Sequence, residues 1–203
     1  ELTTPPIVVT SDGIGSKLLL HLEHGTLNEA AKDLIAMNYN DIICVGGIPK
    51  AFVDYLGVHH IDRQHYEFIK ALTEELEKIN VSLVAGETAE LPAIYAQDEW
   101  DVAGFCIGTL KQRIPIETIK EGDIIVGIPA SGFHSNGWSL IRQILKKENI
   151  DLNSLPFDLL TGTKIYSDAS IVFNLVKGIA HVTGGGLSRA LRRVLRESGY
   201  NLT

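Results

Sequence analysis

The chain is short of cysteine, of basic charge and of long apolar runs, and each shortage excludes something. Its 203 residues hold two cysteines, Cys44 and Cys106, too few for a disulfide scaffold. Both sit in apolar surroundings and read as buried thiols of a reducing compartment, with a single disulfide between them as the alternative. Lys and Arg number 18 against 25 Asp and Glu, a net charge of -7, so no general attraction to nucleic acid is expected. The longest stretch without a formal charge lies between Asp123 and Arg142. It contains Pro129, Ser131, His134, Ser135 and Asn136, so it is no membrane span. No basic, apolar leader opens the chain, and the expected location is the cytoplasm. Internal repeats and low-complexity segments are absent, as are the Walker A pattern, G-x-G-x-x-G and the G-x-S-x-G nucleophile elbow. If the protein handles phosphate, it must do so through backbone amides, a metal ion or one or two placed cations.

What is present is enough apolar side chain, 45%, to bury a core. The pattern predicts strands over Pro6–Thr10, Ala51–Val58, Val81–Ala85 and Val102–Leu110. A helix begins near Thr26, whose partner Glu29 makes a capping-box pattern. It carries Leu27, Ala30, Leu34, Met37 and Asp41 on one stripe, which places Asp41 on the apolar face. A second helix covers residues 62–79, with Tyr66, Ile69, Leu72, Leu76 and Ile79 on one side. The polar stretch around Gln112–Glu121 reads as a boundary between domains 1–112 and 113–203. Beyond it the pattern predicts a strand over Asp123–Ile128 and a helix capped by Asn136 that carries Trp138, Ile141 and Leu145. A helix over Lys164–Val176, a strand over Ile179–Val182, a helix from Leu187 and a strand starting at Tyr200 follow. The expected class is α/β, with polar motifs at strand ends and helix starts.

Those motifs carry the chemistry. Asp12-Gly13-Ile14-Gly15-Ser16-Lys17 offers a carboxylate for Mg²⁺, two glycines that admit a phosphate to the backbone, and an ammonium. A turn in which Asp12 bonds its own backbone competes with that reading. Asn40-Asp41 and Gly86-Glu87-Thr88 add carboxylates at the edges of apolar elements, so Asp12, Asp41 and Glu87 form a candidate Mg²⁺ set. A salt bridge at Asp41 and a turn carboxylate at Glu87 are the plainer alternatives. Ser131-Gly132-Phe133-His134-Ser135-Asn136-Gly137 gathers an imidazole, hydroxyls and an amide, with His134 able to move protons or stabilise developing negative charge near neutral pH, or else simply bonding the backbone of its loop. His181-Val182-Thr183-Gly184-Gly185-Gly186, between a strand and a helix start, offers bare amides to an anion, with a flexible connector as the plainer alternative. His59 and His60 read as the end of a strand, and His21 and His24 as surface residues.

Together with Asp101-Val102-Ala103-Gly104-Phe105, these strings stand in the order found in the phosphoribosylformylglycinamidine cyclo-ligases, also called aminoimidazole ribonucleotide synthetases. The chain resembles that family from its first strand to its last helix. Gly86-Glu87-Thr88-Ala89-Glu90-Leu91-Pro92 and Ser131–Gly137 are closer to the cyclo-ligases than to their cousins. The resemblance implies an N-terminal sheet-plus-helices domain that forms a barrel with a second copy, so a homodimer, followed by an α/β C-terminal domain. It implies ATP-dependent ring closure of formylglycinamidine ribonucleotide through an iminophosphate. Under it Asp12, Asp41 and Glu87 hold Mg²⁺, and Gly13, Gly15 and Lys17 lie against phosphates. His134, Asp41 and Lys17 act in catalysis. Asn40, Thr88, Ser135, Asn136, His181, Thr183, Gly184, Gly185 and Gly186 bind substrate or ATP. Family members have more chain on both sides, which implies a fragment lacking both ends. The family usually has a proline near the position of Gly162, where this chain departs from it. A kinase or synthetase of the thiamine-monophosphate or selenophosphate type, and a non-catalytic dimerising fragment, remain as alternatives.

Overall fold

The structure, a computed structural model, describes residues 6–195 and 199–200. Four strands, β1 (Ile7–Gly13), β2 (Gly47–Val58), β3 (Ser82–Glu90) and β4 (Trp100–Leu110), form one sheet in the order β1-β4-β2-β3. β4 is antiparallel to both of its neighbours, whereas β2 and β3 are parallel. The parallel pair needs a crossover, and α3 (Arg63–Lys78) supplies it. Pro49 interrupts β2 where its register against β4 shifts, a bulge at which a missing amide proton costs least.

Two helices precede the sheet's centre, α1 (Leu18–His24) and α2 (Leu27–Cys44). α2 lies over the sheet, and its stripe of Leu34, Ile35 and Ile42 joins Phe52, Leu56, Val58, Val102 and Cys106 in the main core. Residues 165–179 cover its other side through Ile165, Phe173 and Val176. Thirteen of its eighteen residues are buried, so α2 is enclosed nearly all round and not one-sided. A fully buried Leu, Ile or Phe is worth about 1.5–3 kcal/mol, which makes α2 the mechanical centre of the chain. A smaller cluster gathers Trp138, Leu20 and Leu159 around α4 (Trp138–Lys147). α5 (Gly186–Leu195) closes the described part.

Several local expectations give way to tertiary contacts. Thr26 precedes α2 but makes no capping bond; its hydroxyl pairs with His21 Nδ1 at 2.7 Å, and Glu29 is drawn to Lys32 and Gly162 instead. α3 is capped by Asp62, which exchanges bonds with His65. Its buried stripe runs through Phe68, Leu72 and Leu76, and Tyr66 points to solvent. Gly137, at φ +89°, precedes α4 where Asn136 was expected to cap. Asp123–Ile128 and Ile179–Val182 form no strand, since no strand lies beside either of them among the described residues. In place of a helix over Lys164–Val176 there is extended chain followed by one 3-10 stretch, Ser167–Val172. The strand expected from Tyr200 falls largely outside the described residues, and Tyr200 itself is in no strand.

The sheet has one open face. Residues paired across it in register share a side, so Ile7, Val9, Phe105 and Tyr55 stand together away from α2. Their exposures are 58%, 65%, 38% and 38%.

Candidate active site

β1 delivers Asp12 and Gly13 to the sheet's edge, and a 3-10 turn over Gly15–Lys17 leads into α1. Here a cleft of about 280 Å³ opens, lined by Asp12, Gly13, Ile14, Gly15, Met37, Asp101, Ser135 and Asn136. The fold thus joins the first glycine motif to the Ser131–Gly137 loop, more than 100 residues away in the chain. Asn136 also stands beside Gly184: a Cβ there would lie 3.0 Å from its Oδ1. His181 Nδ1 reaches the Asp41 carboxylate at 2.8 Å, which fastens the Gly184–Gly186 connector to the end of α2. Gly184, Gly185 and Gly186 are exposed at the start of α5, and Thr183 accepts from the Gly186 amide.

The carboxylates sort by sheet face. Gly104 pairs with Asp12 on one side and Asp54 on the other, so both acids face α2. Asn38 of α2 sits directly over Gly104, where any Cβ would meet its amide nitrogen at 2.7 Å, and donates to the Asp12 carbonyl. Burial pushes the Asp12 carboxyl above the usual range, the Gly13 amide opposes this, and the neighbouring Asp41 charge adds to it. Burial raises Asp54 further, to about 6. Glu87 pairs with Tyr55, one residue on from Asp54, and so lies on the opposite, open face within β3 and not after a strand. Asp41 is less buried than its stripe implied, with its side chain 40% exposed.

The candidate Mg²⁺ set is corrected accordingly. Asp12 and Asp41 act on each other, and Glu87 does not join them in one chain. Among the described residues no three His, Cys, Asp or Glu side chains form a ready metal cluster. Two carboxylates nevertheless suit Mg²⁺, which keeps waters and takes phosphate oxygens for its remaining positions. A cation there would offset the cost of burying the Asp12 charge and the smaller repulsion from Asp41 that adds to it.

His134 is half-buried and precedes the cleft-lining Ser135 and Asn136, but is not itself in the lining. Its Nε2 faces the Ser131 amide at 3.2 Å and the Lys164 amide at 3.4 Å. An amide N–H can only donate, so this nitrogen carries the lone pair and Nδ1 carries the proton. Burial, then the charge of Lys17, hold its pKa below the ordinary histidine range. Ser135 is buried and donates to Asp33 at 3.0 Å.

Two other expected ligands are committed elsewhere. Lys17 does not line the cleft; it is fully buried, 3.0 Å from Asp33, and also donates to the carbonyls of Phe133 and Thr161. Asn40 spends both ends of its amide on backbone, donating to Lys164 O and accepting from Tyr166 N, each at 3.0 Å. Thr88 lies in edge strand β3 opposite Leu56, away from the cleft lining. His21, read as a surface residue, is wholly buried and bonded to Asp33 at 2.8 Å, whereas His24 is exposed. Asp33, Asp54 and Asp101 are not predicted from the sequence; of the three only Asp101 has a signal there, since it opens the Asp101–Phe105 string.

Comparison with known proteins finds two matching family models. AIR synthase related protein, N-terminal domain, matches residues 3–110, and AIR synthase related protein, C-terminal domain, matches residues 120–203. A protein named phosphoribosylformylglycinamidine cyclo-ligase from Nitrosospira multiformis is 38% identical over 97% of this chain and 59% of its own length. One of the same name from Thermoanaerobacter pseudethanolicus is 39% identical over 96% of this chain and 62% of its own. The chain thus spans about three-fifths of the length of these curated relatives. Among solved structures, thiamine monophosphate kinase from Aquifex aeolicus is similar at a TM-score of 0.45 and 16% identity, over 56% of this chain and 37% of that one.

Proposed function

Since the chain belongs to the AIR synthase related protein family, we propose that the whole protein closes the imidazole ring of aminoimidazole ribonucleotide. Formylglycinamidine ribonucleotide is the substrate, and ATP is converted to ADP and phosphate. The names of the curated relatives support this reading. The observation that carries it is the meeting of Asp12, Gly13 and Gly15 with Ser135 and Asn136 around one cleft. A cleft of about 280 Å³ takes a phosphate-bearing part of a nucleotide, being at the small end of ligand pockets.

In this reading ATP phosphorylates the formyl amide oxygen, the amidine-side nitrogen attacks the activated carbon, and phosphate leaves. Asp12 and Asp41 would hold Mg²⁺, which when bound neutralises phosphoryl charge. The Gly15 amide meets one phosphate, and those of Gly184 and Gly185 before α5 meet another; the Gly13 amide is held by the Asp12 carboxylate and the Gly186 amide by the Thr183 carbonyl, so these two glycines let the backbone approach without donating. Neutral His134 donates from Nδ1 to the amide oxygen as charge develops there. Ser135 and Asn136 orient the substrate, with His181 and Thr183 fixing the glycine connector. Domains 1–112 and 113–203 supply the two sides of the cleft. The protein acts as a cytoplasmic homodimer joined through the open sheet face.

The test is a coupled assay of the full-length protein with ATP, Mg²⁺ and formylglycinamidine ribonucleotide. ADP release that depends on the ribonucleotide is the expected result. Release stimulated instead by thiamine monophosphate or selenide would overturn the substrate assignment.

A further inference from the structure

The sequence reading left Asp33 out, yet it is the most heavily hydrogen-bonded side chain described. It is fully buried. Lys17 Nζ and His21 Nε2 approach it at 3.0 and 2.8 Å. The Ser135 hydroxyl donates to it at 3.0 Å, and the Thr163 amide and hydroxyl at 2.7 and 2.5 Å. Burial alone would raise its pKa, but His21, Lys17 and Thr163 together hold it below the carboxylate range, so it is ionised. A buried carboxylate is tolerated when its lone pairs are all occupied, as here.

The donors come from two directions. Lys17 closes the glycine motif and His21 belongs to α1, which follows it. Ser135 and Thr163 belong to the far part of the chain. The same strip of α2 holds further backbone from that part: Glu29 accepts from the Gly162 amide at 2.6 Å, and Asn40 grips residues 164 and 166. A Cβ at Gly162 would come within 2.8 Å of the Glu29 carbonyl and Lys32 Cβ, so the chain can lie this close only with glycine there. Lys17 completes the clasp by donating to the carbonyls of Phe133 and Thr161, each two residues before an Asp33 donor, Ser135 and Thr163. Its ammonium lies 5.3 Å from the Trp138 ring centre, and the Trp138 indole N–H donates to the His134 carbonyl.

We propose that Asp33 is a positioning residue that sets Ser135 and the 161–164 segment against the cleft, and that Lys17 serves as its counter-ion and clasp, not as a phosphate ligand. The proposal rests on the cyclo-ligase reading only for what the cleft does. The clasp itself is read without turnover. Two groups of the catalytic loop depend on it: Ser135 directly, and His134 through Trp138 and the Lys164 amide that meets its Nε2.

The experiment uses the full-length protein carrying Trp100→Phe, which leaves Trp138 as the one indole of these 203 residues. Lys17→Met, Asp33→Asn and the double variant are compared by amide exchange at Thr163, by Trp138 emission and by calorimetry with Mg²⁺ and a non-hydrolysable ATP analogue. Each single variant should speed Thr163 exchange on the order of 100-fold, because each leaves a buried charge unpaired. The double variant should exchange more slowly than the two effects multiplied, since the partners leave together. Trp138 emission should shift in every variant that lacks Lys17. Turnover should fall in Asp33→Asn while analogue affinity holds within about twofold, a split that general destabilisation does not give. Should Asp33→Asn fail to fold, Ser135→Ala removes one bond and should still release the Thr163 amide. Unchanged exchange and emission in Lys17→Met, with analogue affinity reduced about tenfold or more, would return Lys17 to the phosphate and overturn the proposal. If the clasp readouts move as expected but formylglycinamidine ribonucleotide drives no ADP release, the clasp stands and the assigned reaction fails.

Discussion

The Asp54 carboxylate occupies the space that a side chain at residue 86 would need: a Cβ on Gly86 would lie 2.3 Å from Asp54 Oδ1. The two face each other across parallel strands β2 and β3, in register and on the helix-covered side. Gly86→Ala should therefore destabilise the protein by about 1–3 kcal/mol, measured by urea unfolding. In an Asp54→Ala background the same change should cost less than about 0.5 kcal/mol. An undiminished cost there would mean that the backbone, not the carboxylate, excludes the methyl group.

Asp54 also makes stability depend on pH in a definite direction. Burial raises its pKa from 3.8 to about 6, so the folded state holds this proton more tightly than the unfolded one. Between those values the native state binds more protons, and stability falls as pH rises. The loss amounts to about 3 kcal/mol and is complete above pH 6. Relative to Asp54→Asn, the wild-type protein should lose most of this amount, about 2 kcal/mol, between pH 4 and pH 7 in metal-free buffer. A flat difference between the two over that range would show that Asp54 is solvated and titrates normally.

The strands and helices around residues 7–110 were legible because each has a period of its own and a neighbour to pair with. β2, α3 and β4 follow from alternation or a stripe, and Asp62 announces the start of α3. Asp33, Asn38 and Asn40 could not be placed from a stripe, because α2 is covered on every side and burial there does not follow a period. His21 looked like a surface residue until α2 brought Asp33 against it. Past residue 120 the apolar runs predicted strands, but a strand needs a partner, and Asp123–Ile128 has none among the described residues. Within the site, the glycine loops and His134 announced themselves by composition. The sheet face of a carboxylate is set by register, which composition does not carry, so the sequence alone does not separate Glu87 from Asp12 or bring out Asp54.

Asp12 and Glu87 can be told apart by one pair of variants in the full-length protein. Asp12→Asn should weaken Mg²⁺-dependent binding of a non-hydrolysable ATP analogue by about tenfold or more, read by calorimetry. Glu87→Gln should change it by less than about twofold, since Glu87 projects from the other side of the sheet. Equal losses would place both carboxylates at one metal.

His134→Ala should lower kcat on the order of 100-fold, the usual loss for one donor to a developing oxyanion. Analogue affinity should change little, because the imidazole is assigned to the reacting amide and not to the nucleotide. The pH profile gives a second reading. Burial and Lys17 keep His134 neutral, so wild-type turnover should not decline between pH 7 and pH 8.5 through loss of an imidazolium. Equal losses of turnover and affinity in the variant would make His134 a support for its loop, acting through the Ser131 and Lys164 amides.

The open sheet face makes the strongest demand on the whole protein. Ile7, Val9, Tyr55 and Phe105 share it, and Val9 is 65% exposed beside Ile107 on β4. An apolar, in-register sheet face is a poor surface to leave in water, and a second copy is the occupant assigned here. Val9→Arg tests this without touching the core, because the side chain points away from α2. The guanidinium would be solvated on a free chain and desolvated in a face-to-face dimer, where its own symmetry mate adds repulsion. Sedimentation velocity should show the full-length wild type as a dimer and Val9→Arg as a monomer, with circular dichroism unchanged. A dimer that persists with the arginine in place would mean that the two copies meet elsewhere and that this face belongs to another part of the chain.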